Sequence, residues 1–97
     1  NDNVRKKYSD VSDIEKFIAE NKDKTIGLVC FSKPITDLNV KHVEVLSESG
    51  DLKEAASKLY SSLHKLDDLN LDMIVAQRLP DIGLGKSMND RLERATK

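Results

Sequence analysis

Apolar and polar positions along this chain follow two rhythms. Thr25-Ile26-Gly27-Leu28-Val29-Cys30-Phe31 is continuously apolar after its first residue and rich in β-formers. That is the pattern of a strand covered on both faces. Leu71 to Ala76 reads the same way, and Val43-Glu44-Val45-Leu46 is a shorter strand. Between these runs the apolar residues recur every three or four positions. Ser12-Asp13-Ile14-Glu15 matches a capping box with Ser12 as the N-cap, and Ile14, Phe17 and Ile18 follow at helical spacing. This helix is expected to end near Asn21-Lys22. Asp51-Leu52-Lys53-Glu54 is a second cap pattern. It opens the longest helix, with Leu52, Ala55, Ala56, Leu59, Tyr60, Leu63 and Leu66 along one face. Met88, Leu92 and Ala95 give a last helix its apolar side, and Pro34 to Leu38 suits a single helical turn.

Strands alternating with helices predict parallel β-α units and a sheet covered on both sides. With right-handed crossovers, the expected fold is a small Rossmann-like three-layer α/β/α sandwich with a mainly parallel sheet. Thr25–Phe31 and Leu71–Ala76 are its expected central strands. Leu28, Val29, Leu59, Leu63, Ile74 and Val75 are its expected core. Residues 10–97 read as one such domain. Residues 1–9 are polar and basic without a period, and read as a linker or frayed arm, with an edge strand at Val4–Tyr8 as the alternative.

Composition narrows the function. The 97 residues are 38% hydrophobic and 34% charged, with a net charge of −1, so no bulk field attracts nucleic acid or an anionic membrane. The basic cluster Arg5-Lys6-Lys7 beside Tyr8 reads as a solvated tail. No apolar run approaches the ~20 residues of a membrane span. The opening Asn1-Asp2-Asn3-Val4-Arg5 has no signal-peptide pattern. Cys30 is the single cysteine and has no internal disulfide partner, which suits a reducing, cytoplasmic setting.

The junction after the last strand carries the candidate chemistry. Gly83-Leu84-Gly85-Lys86-Ser87 looks like the end of a phosphate-binding loop, G-x-x-x-x-G-K-[ST]. The first glycine of that motif falls at Pro80. Proline has no N–H to offer a phosphate, and its fixed φ resists the curl of the loop. Two readings follow. Gly83, Gly85, Lys86 and Ser87 bind a nucleotide phosphate, or they form a strand-to-helix turn in which Ser87 caps the helix. Beyond it, Arg91 and Arg94 either pair with a carboxylate at the C-terminal ends of the strands or reach an anion or a partner surface, and Asp72 joins them as a candidate structural or interdomain residue.

Other candidates are weaker. His42 and His64 sit in no ligand-spaced motif, and His64 reads as a solvated helix histidine. Cys30 reads as a buried, inert thiol. Asp67, Asp68 and Asp72 are acids of loops and element ends, which are ordinarily solvated. No nucleophile, metal or acid–base constellation stands out.

The ordered set Ala55-Ala56, Leu59, Leu63, Leu66-Asp67, Asp72-x-Ile74-x-Ala76, Pro80, Gly83-Leu84-Gly85 and Arg91-Leu92-x-Arg94-Ala95 resembles the C-terminal accessory domain of two-domain threonylcarbamoyl-AMP synthases of the YrdC/Sua type. Ile26-Gly27-Leu28-Val29 followed by Phe31-Ser32 fits that domain as well. The resemblance implies a module without catalysis or cofactor of its own, whose partner is a YrdC-like domain. That domain would use ATP, and Mg with it, together with threonine and bicarbonate. It would make the donor for the threonylcarbamoyl modification of adenosine in tRNA. The parent protein would then be an L-threonylcarbamoyladenylate synthase, a nucleotidyltransferase. The alternative is a small regulatory α/β domain that binds ATP or GTP through the Gly83–Ser87 turn.

Overall fold

The computed structural model describes the backbone of residues 5–9, 11–33 and 40–95. Strands β1 (Arg5–Ser9), β2 (Ile26–Cys30), β3 (His42–Val45) and β4 (Met73–Gln77) form one sheet, with helices α1 (Val11–Glu20), α2 (Leu52–Asp67) and α3 (Leu84–Ala95). The sheet order is β1-β4-β2-β3 and every pairing is parallel. The two continuously apolar runs therefore occupy the centre, because only covered strands tolerate apolar residues on both faces.

The pleat of the central strands sorts their side chains. Ile26, Leu28, Cys30, Met73 and Val75 join Ile14 and Ile18 of α1 on one face. Val29, Ile74 and Ala76 join Ala55, Leu59 and Leu66 of α2 and Met88 and Leu92 of α3 on the other. Three layers result. Leu63 departs from the expected core: it is only partly buried against this second cluster, and Leu66 occupies the fully buried position. The buried stripe of α2 runs Ala55, Leu59, Ser62, Leu66, which leaves Leu63 on its flank.

Over residues 5–9 the linker or arm reading is corrected in favour of its edge-strand alternative. The segment pairs in register with β4, from Arg5 opposite Met73 to Ser9 opposite Gln77. An edge strand needs no apolar pattern, and a charged, lysine-rich composition is a common guard against edge-to-edge association. Ser12 is also not the N-cap of α1, which already begins at Val11. Position 10 lies outside the described residues, as does the turn expected at 34–38. At the other end of α1, the Asn21 side-chain amide donates to the Phe17 carbonyl (2.8 Å), closing the helix where the sequence places its stop. Asp51 does cap α2, accepting from the Lys53 N–H at 3.0 Å.

Candidate functional site

The strand-to-helix junction is built by α3 starting earlier than its sequence suggests. Gly83 takes φ +53°, and the helix is already formed at Leu84. The Gly85 N–H donates to the Ile82 carbonyl (2.9 Å) and the Lys86 N–H to the Gly83 carbonyl (3.2 Å). Ser87 thus lies inside the first turn and is not its cap, a correction of the expected turn. Gly85 is buried, and a methyl group built on it would sit 1.8 Å from the Pro80 carbonyl oxygen. The glycine is there for close approach of two backbone segments. Lys86 and Ser87 are exposed.

Asn89 holds this arrangement in place, and sequence reasoning missed it. It is 2% exposed, and its Oδ1 accepts from the Leu79 N–H (3.0 Å). Its Nδ2 donates to the Leu79 carbonyl (2.9 Å) and to Asp81 Oδ1 (3.3 Å). The buried backbone leaving β4 thereby gains the partners that a strand neighbour would supply. An asparagine one position after the apolar Met88 was the available signal.

At the C-terminal ends of β2 and β4 lies a cleft of about 380 Å³, bordered by Phe31, Lys33, Gln77, Arg78 and Pro80. Open parallel sheets hold ligands at this edge. Gln77 bridges the two strands there, its Oε1 accepting from the Phe31 N–H at 2.9 Å. Arg78 pairs with Asp81 at 3.6 Å.

Asp72 stands at the opposite end of β4. It makes a reciprocal pair with Thr25: the Thr25 N–H donates to Asp72 Oδ2, and the Asp72 N–H donates to Thr25 Oγ1, both at 2.9 Å. Hydrogen bonding of the carboxylate by the Thr25 backbone N–H and the Thr25 side chain, with help from the Lys24 charge, holds the Asp72 carboxyl below the usual carboxylate range. The ion pair expected of Arg91 or Arg94 with a carboxylate at the C-terminal ends of the strands is not formed among the described residues. Among the described residues neither arginine has a carboxylate partner, and Arg94 Nε donates to the Asp90 carbonyl at 3.4 Å. Both arginines border a groove of about 310 Å³ between α2 and α3, with Ala56, Leu59, Leu84, Ser87 and Met88.

A further polar cluster joins β3 to α2. Glu44 contacts His42 Nε2, Lys65 Nζ (3.5 Å) and Ser62 Oγ (3.4 Å). Burial raises the Glu44 carboxyl, but the His42 hydrogen bond and the Lys65 charge more than offset it, and the net displacement is downward. The other sequence candidates stay apart. Cys30 is fully buried, and His64 is exposed with its ring 5.9 Å from that of Tyr60. Among the described residues, no three His, Cys, Asp or Glu side chains group as metal ligands, and no helix is long and apolar enough to cross a membrane.

Comparison with known proteins places this geometry in context. A family model described as "Threonylcarbamoyl-AMP synthase, C-terminal domain" matches residues 3–96. Two solved structures of P. abyssi Sua5 superpose on the chain at 24% sequence identity. One, a complex with L-threonine, has a TM-score of 0.78 and the other, a double variant, 0.74. The matches cover 97% of this chain and 27–28% of those proteins, so the chain spans about a quarter of their length. No curated protein gives a match.

Proposed function

Because the chain belongs to the family of C-terminal domains of threonylcarbamoyl-AMP synthases, we propose that it is the accessory, interaction domain of an L-threonylcarbamoyladenylate synthase and performs no chemistry itself. In this reading ATP, Mg, threonine and bicarbonate are handled by an accompanying YrdC-like domain. The product serves threonylcarbamoyladenosine formation in tRNA, and the protein works in the cytoplasm. The observation that carries the non-catalytic part is the use of the Gly85 and Lys86 amides within the chain, beneath a Pro80 carbonyl that fills the space beside Gly85. A phosphate cradle needs such amides free and convergent. The competing reading, a nucleotide-binding regulatory domain, relies on Gly83, Gly85, Lys86 and Ser87 for that cradle.

Titration with Mg-ATP and Mg-GTP, followed by calorimetry, separates the two. No saturable sub-millimolar binding is expected, and incubation of this chain with ATP, threonine and bicarbonate is expected to yield no threonylcarbamoyl-AMP. A Mg-dependent affinity in that range, lost in folded Lys86→Ala, overturns the proposal in favour of nucleotide binding. Product formation by this chain overturns it in favour of catalysis.

A further inference from the structure

The cleft at the C-terminal ends of β2 and β4 is left with hydrogen-bond donors, because the acceptors around it are already engaged. The Cys30 carbonyl accepts from the Leu46 N–H (2.9 Å) and the Phe31 carbonyl from the Ser47 N–H (2.8 Å). The N–H and the carbonyl of Leu79 both bond to Asn89. Gln77 Oε1 takes the Phe31 N–H. A backbone N–H can only donate, so the atom facing it must be the amide oxygen. That fixes the amide plane and leaves the N–H bonds of Gln77 Nε2 without a partner among the described residues. Gln77 is half-buried, where an unmatched donor costs more than on an open surface.

The rest of the lining adds donors and one net positive charge. Ser32 contributes a hydroxyl and Lys33 an ammonium group, neither of them bonded or paired among the described residues. No acidic residue lines the cleft. Arg78 also borders it, but Asp81 lies 3.6 Å from that guanidinium and balances its charge. Phe31, Leu79 and Pro80 form the apolar wall. The volume of about 380 Å³ falls toward the lower end of the ~300–1,000 Å³ of small-molecule pockets. A few convergent polar groups on an apolar wall, at this edge of a parallel sheet, are the usual make-up of a ligand site.

We propose that this cleft binds a small organic oxyanion. Its carboxylate or phosphate group accepts from Gln77 Nε2, Ser32 Oγ and Lys33 Nζ, and its apolar body lies against Phe31 and Pro80. Donors with one net positive charge select against cations and against ligands that only donate. The site is separate from the Gly83–Ser87 turn, and it stands whether or not the chain is an accessory domain.

The test is titration of the isotope-labelled protein, read on its backbone amides by NMR. Four probes separate the sources of the oxyanion: benzoate and acetate, phenyl phosphate and inorganic phosphate. Saturable shifts are expected on Phe31, Ser32, Lys33, Gln77, Arg78 and Leu79, with at least one aromatic probe binding several-fold tighter than its counterpart without a ring. The tighter of benzoate and phenyl phosphate identifies the charged group. Gln77→Glu keeps an acceptor for the Phe31 N–H and puts an oxygen where the amide donates. It should weaken binding about tenfold or more, the order of one hydrogen bond to a charged group. Continued protection of the Phe31 amide from exchange checks that the bridge between the strands survives. Lys33→Gln, at an exposed position, should weaken binding as well, and it decides the matter should Gln77→Glu fail to fold. Shifts spread over all exposed lysines and arginines, no gain from the ring, or affinity unchanged in the folded variants overturn the proposal. Loss of binding in Lys86→Gln instead places the anion at the turn and overturns it too.

Discussion

The Pro80 carbonyl oxygen occupies the place where any residue other than glycine at position 85 would carry its Cβ. The two backbones meet because α3 folds back immediately beneath the exit of β4. Gly85→Ala should therefore destabilise by at least the ~1–3 kcal/mol of an overpacked core. Gly83 supplies the contrast. It has open space around it but a φ of +53°, so Gly83→Ala should cost about 1–2 kcal/mol, for backbone conformation alone. Denaturant titration of the two variants should rank Gly85→Ala as the more damaging, and the opposite order would refute the close approach.

Asn89 invites a second measurement. Asn89→Ala leaves the N–H and carbonyl of buried Leu79 without partners. Each orphaned group costs about 1–3 kcal/mol, so a clear fall in urea midpoint is expected at unchanged m-value. Amide exchange should locate the loss, with Leu79 and the first turn of α3 losing protection before β2 does.

Asp72 and Glu44 make stability depend on acid. Both carboxyls lie below their ordinary values in the folded chain. A carboxyl depressed by folding binds its proton more readily when unfolded, so its contribution is fully present above the unfolded value near 4 and is lost as pH falls through the lower folded value. Asp72→Asn and Glu44→Gln should each be less stable than the parent at pH 7 and converge on it toward pH 2. A gap that stays constant across that range would show that neither charge is engaged as described.

Leu66 and Leu63 should separate cleanly by truncation. Leu66 is fully buried between α2 and the sheet, and Leu63 is partly exposed. Leu66→Ala should cost about 2–5 kcal/mol, and Leu63→Ala about 1 kcal/mol from the smaller area involved. Equal losses in thermal or urea unfolding would contradict the helix orientation.

The central strands and α2 were legible in the sequence because their signal is local: unbroken apolar runs, and a three-to-four repeat behind an Asp51 cap. What escaped depends on distant partners. Both Leu63 and Leu66 satisfy the helical period, and the geometry of the sheet beneath decides which is central. Ser62 is buried because Glu44 of β3 lies over it. Gly27 looks like a weak point in a strand, yet a Cβ there would come within 2.5 Å of the Leu71 side chain. In the candidate site, Gly85 argued against a helix on propensity, where glycine costs about 1 kcal/mol, and only the nearby Pro80 explains it. Asn89 was hidden in a polar run that reads as solvated. Arg91 and Arg94 were noticed, but an internal ion pair was expected where the structure leaves both facing a groove.

The pairing of β1 with β4 has a consequence for how the chain acquires its structure. Arg5 finds its partner at Met73, about two thirds of the chain's length away. During synthesis at ~5–20 residues per second, β1 must wait several seconds until β4 emerges. α1 packs on β2 and β4, so its apolar side is also incompletely covered during that interval. Contacts so distant along the chain slow folding, because loop closure precedes any reward. The lysine-rich composition of β1 then serves the nascent chain as much as the finished sheet, by keeping an unpaired strand soluble until its partner arrives.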